Sequence, residues 1–301
     1  MISVTDLHKT YGNRTAVHDL SFDVAAGRVT GFVGPNGAGK STTMRIMVGL
    51  TRPDRGSVTY DGVGYTDLRD PARVVGSVLD ARCMHPGRTA RQHLRAAAAL
   101  SRLSMARVDA VLTEVGLETA ADQCAGGFSL GMRQRLALAG ALLGEPQVLL
   151  LDEPSNGLDP DGIRWLRTYL TRFAEEGGSV FVSSHLIGEL AMFADDLVVV
   201  GGGRLLAAEP VAAITARNAK VVVVEPVDPA QLSRLARHLI ESGLAVQTSG
   251  TQLFVPDGDR RTVSQIARCN DVALLELTET SRSLEDSLLE MTAGSAEFAS
   301  A

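Results

Sequence analysis

An α/β fold organised around a parallel sheet is what this sequence predicts, on three observations. A glycine-rich loop, Gly34-Pro35-Asn36-Gly37-Ala38-Gly39-Lys40-Ser41-Thr42, lies between an apolar strand-like run and a segment whose apolar residues recur at helical spacing. A second apolar run, Val148-Leu149-Leu150-Leu151, is continuous, as in a strand covered on both faces, and it ends in Asp152-Glu153. Strand-like and helix-like segments alternate through this part of the chain, the pattern that builds a parallel sheet with its ligands at the carboxyl ends of the strands.

The elements follow in order. Ile2, Val4 and Leu7 alternate loosely, Phe22-Asp23-Val24 reads as a strand, and Asn13, Gly27 and Gly56 mark turns. Val29, Phe32 and Val33 form the strand before the loop; Met44, Ile46, Met47 and Leu50 give the helix after it. Residues 75–79 read as another strand. Residues 91–117, rich in alanine and leucine, read as one long helix, and residues 133–143 as the next. Beyond the run at 148–151 come a helix over 163–176, a strand over 180–182, a helix over 186–194 and a buried strand over 197–200.

The character changes at residues 215–220. From there the pattern is strand 221–224, helix 230–242, strands 244–248 and 253–255, helix 262–267 and strand 272–277, a small α+β unit of ferredoxin-like order. A closing helix is expected over 283–291 with Ser283 as its N-cap. This tail shows no catalytic constellation, so it reads as a stabilising or interaction appendage.

Bulk properties narrow the function classes. The chain has 301 residues, 45% hydrophobic, with formal net charge −6. That length suits one large domain or two smaller ones. The acidic balance gives no support to electrostatic binding of nucleic acid. Cys83, Cys124 and Cys269 are widely separated without a paired spacing, which argues for reduced, buried thiols and against a disulfide frame or a zinc site. Asp6, His8 and Lys9 interrupt the start too early for a signal peptide, and no apolar run approaches the ~20 residues that span a bilayer. A soluble chain is expected, with any membrane role supplied through a partner.

The loop matches G-x-x-x-x-G-K-[ST] from Gly34 to Ser41. Gly34, Gly37 and Gly39 permit backbone angles and close approaches that a side chain blocks, so amides can point at anionic oxygens ahead of a helix N-terminus. Lys40 offers a mobile positive charge to the outer phosphates of a nucleotide, and Ser41 a hydroxyl to Mg²⁺, a hard cation that prefers oxygen. Asp152 adds a carboxylate for the same ion, usually through water. Glu153 is placed to take a proton from a water attacking the γ-phosphate, help worth about 10²–10⁴ in rate.

Three further stretches are weak singly. In Phe128-Ser129-Leu130-Gly131-Met132-Arg133-Gln134-Arg135, Ser129 is also a natural helix cap; in Ser155-Asn156-Gly157-Leu158-Asp159-Pro160, Asp159 is also a turn residue; after Val182-Ser183-Ser184, His185 is also an ordinary surface histidine. Their order and spacing relative to the phosphate loop carry more. Over about residues 1–206 the chain resembles the ATP-binding subunit of ABC transporters. The family's Leu-Ser-Gly-Gly-Gln signature appears here as Phe-Ser-Leu-Gly-Met, keeping Ser129 and Gly131, a variant similar to the bacitracin and multidrug-export branch.

That resemblance implies an ABC-type phosphate-loop ATPase cassette in residues 1–215, with a β-rich N-terminal part and a helical subdomain near 86–143, and an accessory domain in 216–301. It implies ATP and Mg²⁺ as ligands. Tyr11 matches the aromatic that stacks on adenine, and the loop from Gly34 to Thr42 the phosphate cradle. Asp152 and Glu153 match the magnesium-linked acid and the catalytic base, Asp159 the loop that crosses to a partner, and His185 the switch histidine at the γ-phosphate. Where the family has a glutamine that senses Mg²⁺ and the transmembrane subunit, this chain has Asp80, shorter and charged, able to bind Mg²⁺ directly or through water and not expected to play an identical part.

One cassette without an internal repeat implies that two chains pair, Ser129 and Gly131 of one completing the ATP site of the other. The implied function is an ATPase subunit that powers a membrane exporter of antibiotic or other small hydrophobic substrates. It would sit on the cytoplasmic side of the membrane through a separate permease. Alternatives are an importer subunit, a soluble ABC-type ATPase acting on ribosomes or nucleic acid, and a nucleotide enzyme with its own small substrate.

Overall fold

The computed structural model describes residues 1–81, 84–185, 187–216 and 220–281; the expected helix at 283–291, with Ser283, and Cys83 lie outside them. The chain divides into two compact units, the first over Met1–Val211, the second beginning at Ala212.

The first unit contains two sheets. β1 (Ile2–Tyr11), β2 (Arg14–Val24), β4 (Arg55–Tyr60) and β5 (Val63–Gly64) form an antiparallel sheet in the order β2-β1-β4-β5. β3 (Val29–Val33) instead joins β6 (Val75–Val78), β7 (Val148–Asp152), β8 (Ser179–Ser184), β9 (Asp196–Gly201) and β10 (Arg204–Pro210) in the order β10-β9-β3-β8-β7-β6. All its pairings are parallel except β9 with β10, a hairpin strand that the sequence reading missed. β3, β7 and β8 are buried almost throughout because both faces of this sheet are covered.

The aromatic centre of the core joins the two sheets. Phe22 of β2 stacks on Phe181 of β8 at 5.6 Å between centroids, and Phe181 on Phe32 of β3 at 4.9 Å. Offset stacking adds about 0.5–1.5 kcal/mol per pair beyond burial. α1 (Lys40–Met47) buries Met44, Ile46 and Met47 in the same cluster. Leu50 lies beyond the helix and is exposed, so the expected apolar face is one residue shorter than read. Gly56 is likewise no turn: it sits inside β4 with φ 79°, beside a register shift in β1, where a Cβ would collide with the Asp6 carbonyl.

After the short α2 (Pro71–Val74), a helical region contains α3 (Ala90–Leu100), α4 (Arg107–Glu114) and α5 (Leu130–Leu142). The long helix expected over 91–117 is therefore two. Arg102 takes φ 56°, and the Leu103 amide bonds back to the Ala98 carbonyl at 2.8 Å, a left-handed helix ending. Thr89 starts α3 with a complete capping box to Gln92. α5 begins three residues before its predicted start because Ser129 caps it. α6 (Pro160–Glu175) likewise starts at its Asp159 cap, and α7 (Ile187–Ala191) ends early at the turn before Asp195.

α8 (Val211–Ala216) precedes the second unit's sheet. There β11 (Lys220–Pro226), α9 (Leu232–Glu241), β12 (Gln247–Ser249), β13 (Gln252–Pro256), α10 (Arg260–Cys269) and β14 (Leu274–Ser281) give an antiparallel sheet in the order β12-β13-β11-β14. Val222, Val224, Leu253 and Val255 meet Leu235, Leu239, Val263 and Ala267, so both helices cover one face. The expected strand at 244–248 shrinks to three residues.

Cys124 and Cys269 are exposed, which corrects the expectation of buried thiols. Among the described residues no helix is long and apolar enough to cross a membrane.

Candidate functional site

Parallel pairing sets the site. Register aligns Val33 with Ser184, Asp152 with Ser183 and Val78 with Leu151, so the segments leaving β3, β6, β7 and β8 emerge along one edge. Gly34, Glu153 and His185 follow those strand ends directly, and Asp80 follows β6 after Leu79. Ligands of open α/β sheets collect at such an edge.

The loop after β3 is shaped by glycine. Gly37 and Gly39 have φ 82° and 97°, and a Cβ on Gly39 would strike the Ala16 carbonyl of β2. Gly34 is equally tight against the Val200 carbonyl. Pro35, Asn36 and Ala38 complete the turn, in which the Ala38 amide bonds the Pro35 carbonyl at 3.1 Å. Ser41 and Thr42 lie in the first turn of α1, Ser41 on its exposed side.

Lys40 is buried, and its ammonium donates to the Gly34 carbonyl at 2.6 Å and the Pro35 carbonyl at 3.3 Å. Burial pushes its pKa below the ordinary lysine value, partly opposed by the charges of Glu153 and Asp152. A desolvated cation beside two carboxylates and a glycine cradle matches a polyphosphate in charge and shape.

The acidic pair is built on a residue that motif reading did not select. Ser183, fully buried, donates to Asp152 Oδ1 at 2.5 Å and accepts the Glu153 amide at 2.9 Å. Glu153 itself has φ 49°, a left-handed backbone that costs a non-glycine residue about 1–2 kcal/mol. Its Oε2 lies 2.7 Å from His185 Nδ1 and accepts the His185 amide at 3.3 Å.

Asp80 lines a groove of about 310 Å³ with Met84, His93, Ala97, Ala137 and Gly140. Burial, with Arg88 nearby, holds His93 below the ordinary histidine pKa. Tyr11, at the end of β1, is half exposed, with the Lys9 ammonium 5.5 Å from its ring centroid. Its cross-strand neighbour Arg14 extends a guanidinium to the space beside Gly37, a cation that motif reading also passed over.

Ser129, Gly131 and Asp159 form a second grouping. The Ser129 hydroxyl accepts the Met132 amide at 3.2 Å, and the Asp159 carboxylate accepts the Gly162 amide at 2.8 Å, so both are helix caps. The two starts touch: a Cβ on Gly157 would strike the Leu130 side chain, and Gly131 faces Leu158. Farther along, the Arg135 guanidinium of α5 lies 4.1 Å above the Trp165 ring of α6, and Tyr169 of α6 donates to Glu114 of α4 at 2.6 Å.

This geometry has known counterparts. The ABC transporter family model matches residues 17–156. A bacitracin transport ATP-binding protein, BcrA of Bacillus licheniformis, is 32% identical over 299 residues, covering 98% of each chain. A lantibiotic transport ATP-binding protein, SrtF of Streptococcus pyogenes, is 34% identical over 68% of this chain and 89% of its own length. Among solved structures, a dimeric ATP-binding cassette in a post-hydrolysis state with ADP and Pi superposes with TM-score 0.64 at 26% identity, covering 70% of this chain and 99% of that one. The chain belongs to the ABC transporter family, as an ATP-hydrolysing subunit that aligns end to end with the bacitracin-transport type.

Proposed function

We propose that this chain supplies the power stroke of a membrane exporter for peptide antibiotics or similar amphipathic compounds, pairing with a second cassette and with a separate permease at the cytoplasmic face. The observation that carries the export reading is the alignment with a bacitracin transport ATP-binding protein over nearly the whole of both chains.

ATP is the substrate. Lys40 and the amides from Gly34 to Thr42 hold its phosphates, Tyr11 takes the adenine, and Glu153 accepts the proton of the attacking water while His185 holds that carboxylate in place. The oxygen set of Ser41, Asp152 and Asp80 suits Mg²⁺, which when bound neutralises phosphate charge. Asp152 is oriented for this by Ser183. Ser129 and Gly131 serve the site of the opposite cassette, with Asp159 beside them, and the groove lined by Asp80 is the place for a permease segment.

The test is co-expression with a candidate multi-span permease in a bacitracin-sensitive host. Raised tolerance that vanishes with Glu153→Gln supports export. Uptake of a solute, or recovery on ribosomes without a membrane partner, overturns it.

A further inference from the structure

Away from the phosphate loop, His8 of β1 and His18 and Asp19 of β2 converge, with no part in the nucleotide chemistry. His8 Nδ1 lies 3.1 Å from Asp19 Oδ1, and His18 Nδ1 lies 3.1 Å from Asp19 Oδ2. One potential ligand atom from each residue falls within 4.8 Å of the others. The imidazoles meet edge to face at 5.2 Å between centroids. We propose that His8, His18 and Asp19 form a binding site for a divalent transition-metal ion of the zinc class.

Geometry carries the assignment. Bonds of about 2.0–2.1 Å in a tetrahedral shell separate neighbouring ligands by about 3.3 Å, and each imidazole already lies 3.1 Å from one Asp19 oxygen, His8 from Oδ1 and His18 from Oδ2. Three protein ligands would leave one position of a tetrahedral shell for water. His18 Nδ1 is buried and makes no properly oriented hydrogen bond, although the carboxylate is near. Thr10 Oγ1 stands 3.4 Å from His8 Nε2, where it can accept that proton and leave Nδ1 free to ligate, the usual outer-shell arrangement. Asp19 reaches its place through a left-handed backbone, φ 52°, in a strand otherwise extended.

Two guanidinium groups compete with a cation. Arg55 stands 3.3 Å from Asp19 Oδ1 and 3.4 Å from His8 Nδ1, and Arg204 donates to His18 Nε2 at 2.7 Å. Both side chains are exposed and can swing into solvent. Metal at His18 Nδ1 requires the ring proton on Nε2, so Arg204 must release that atom. The two arginines are therefore gates, and their removal should tighten the site. The ion would fasten β1 to β2, the strands that carry Tyr11 and Ala16.

The experiment uses the full chain without an affinity tag, stripped of metal and free of nucleotide, titrated with Zn²⁺ against a chromophoric chelator. One ion per chain is expected. Outer-shell changes alone cost ~10–100-fold in metal affinity, so Asp19→Asn, which tolerates the left-handed backbone, should weaken binding at least about as much. His18→Ala should do the same, Arg55→Ala with Arg204→Ala should tighten it, and Glu153→Gln should leave it unchanged. Zinc binding that is absent, that survives Asp19→Asn and His18→Ala, or that disappears with Glu153→Gln overturns the site.

Discussion

His185 reaches Glu153 twice, with Nδ1 at 2.7 Å and its backbone amide at 3.3 Å from the same carboxylate oxygen. The interaction fixes one oxygen and leaves the other for water. Glu153→Gln preserves the shape and removes the proton acceptor. ATP binding should persist while turnover falls by about 10²–10⁴. Steady-state phosphate release with equilibrium nucleotide binding checks this; near-normal hydrolysis would exclude Glu153 as the base.

Ser183 holds both acidic residues, so its loss should be felt in folding and in chemistry. Ser183→Ala leaves the Glu153 amide without its buried partner, a cost of about 1–3 kcal/mol. The denaturation midpoint should drop, and turnover should fall more than ATP affinity, because Asp152 and Glu153 lose their orientation. Unchanged turnover in a destabilised protein would confine Ser183 to a packing role.

Gly39 leaves no room for a methyl group. Its φ of 97° and the facing Ala16 carbonyl make Gly39→Ala a backbone displacement, costing about 1–3 kcal/mol and opening the cradle. Nucleotide binding should fall below detection in a fluorescence titration while circular dichroism stays folded. Retained affinity would show that the loop tolerates another path.

His93 predicts a pH signature. Its folded pKa lies below the ordinary value of 6.5, so the unfolded chain holds more protons between the two values. Stability should therefore rise with pH across that window and decline as pH falls through it. His93→Gln should flatten this part of a denaturation-midpoint profile; an unaltered slope would assign it to other groups.

Legibility followed range along the chain. Continuous apolar runs announced β7 and β9, since strands covered on both faces leave little choice of residue. The phosphate loop and the Asp152-Glu153 pair were visible because neighbours in sequence carry them. Ser183 was not, because its task comes from pairing with Asp152 across two strands. The break at Arg102 was hidden within a segment of good helix formers, where a backbone turn and not composition ends α3. The meeting of His8 with His18 depends on bulged register between β1 and β2, which no local pattern encodes.

Ser129 has a further consequence, through the division of labour within a single hydroxyl. Accepting the Met132 amide occupies a lone pair and leaves the O–H proton available to give away. On the proposed pairing of two cassettes, holding up a helix and greeting a foreign phosphate would thus be separable duties of one oxygen. An aspartate there would keep the first and forfeit the second, yielding a sturdy, solitary cassette that binds nucleotide yet refuses company.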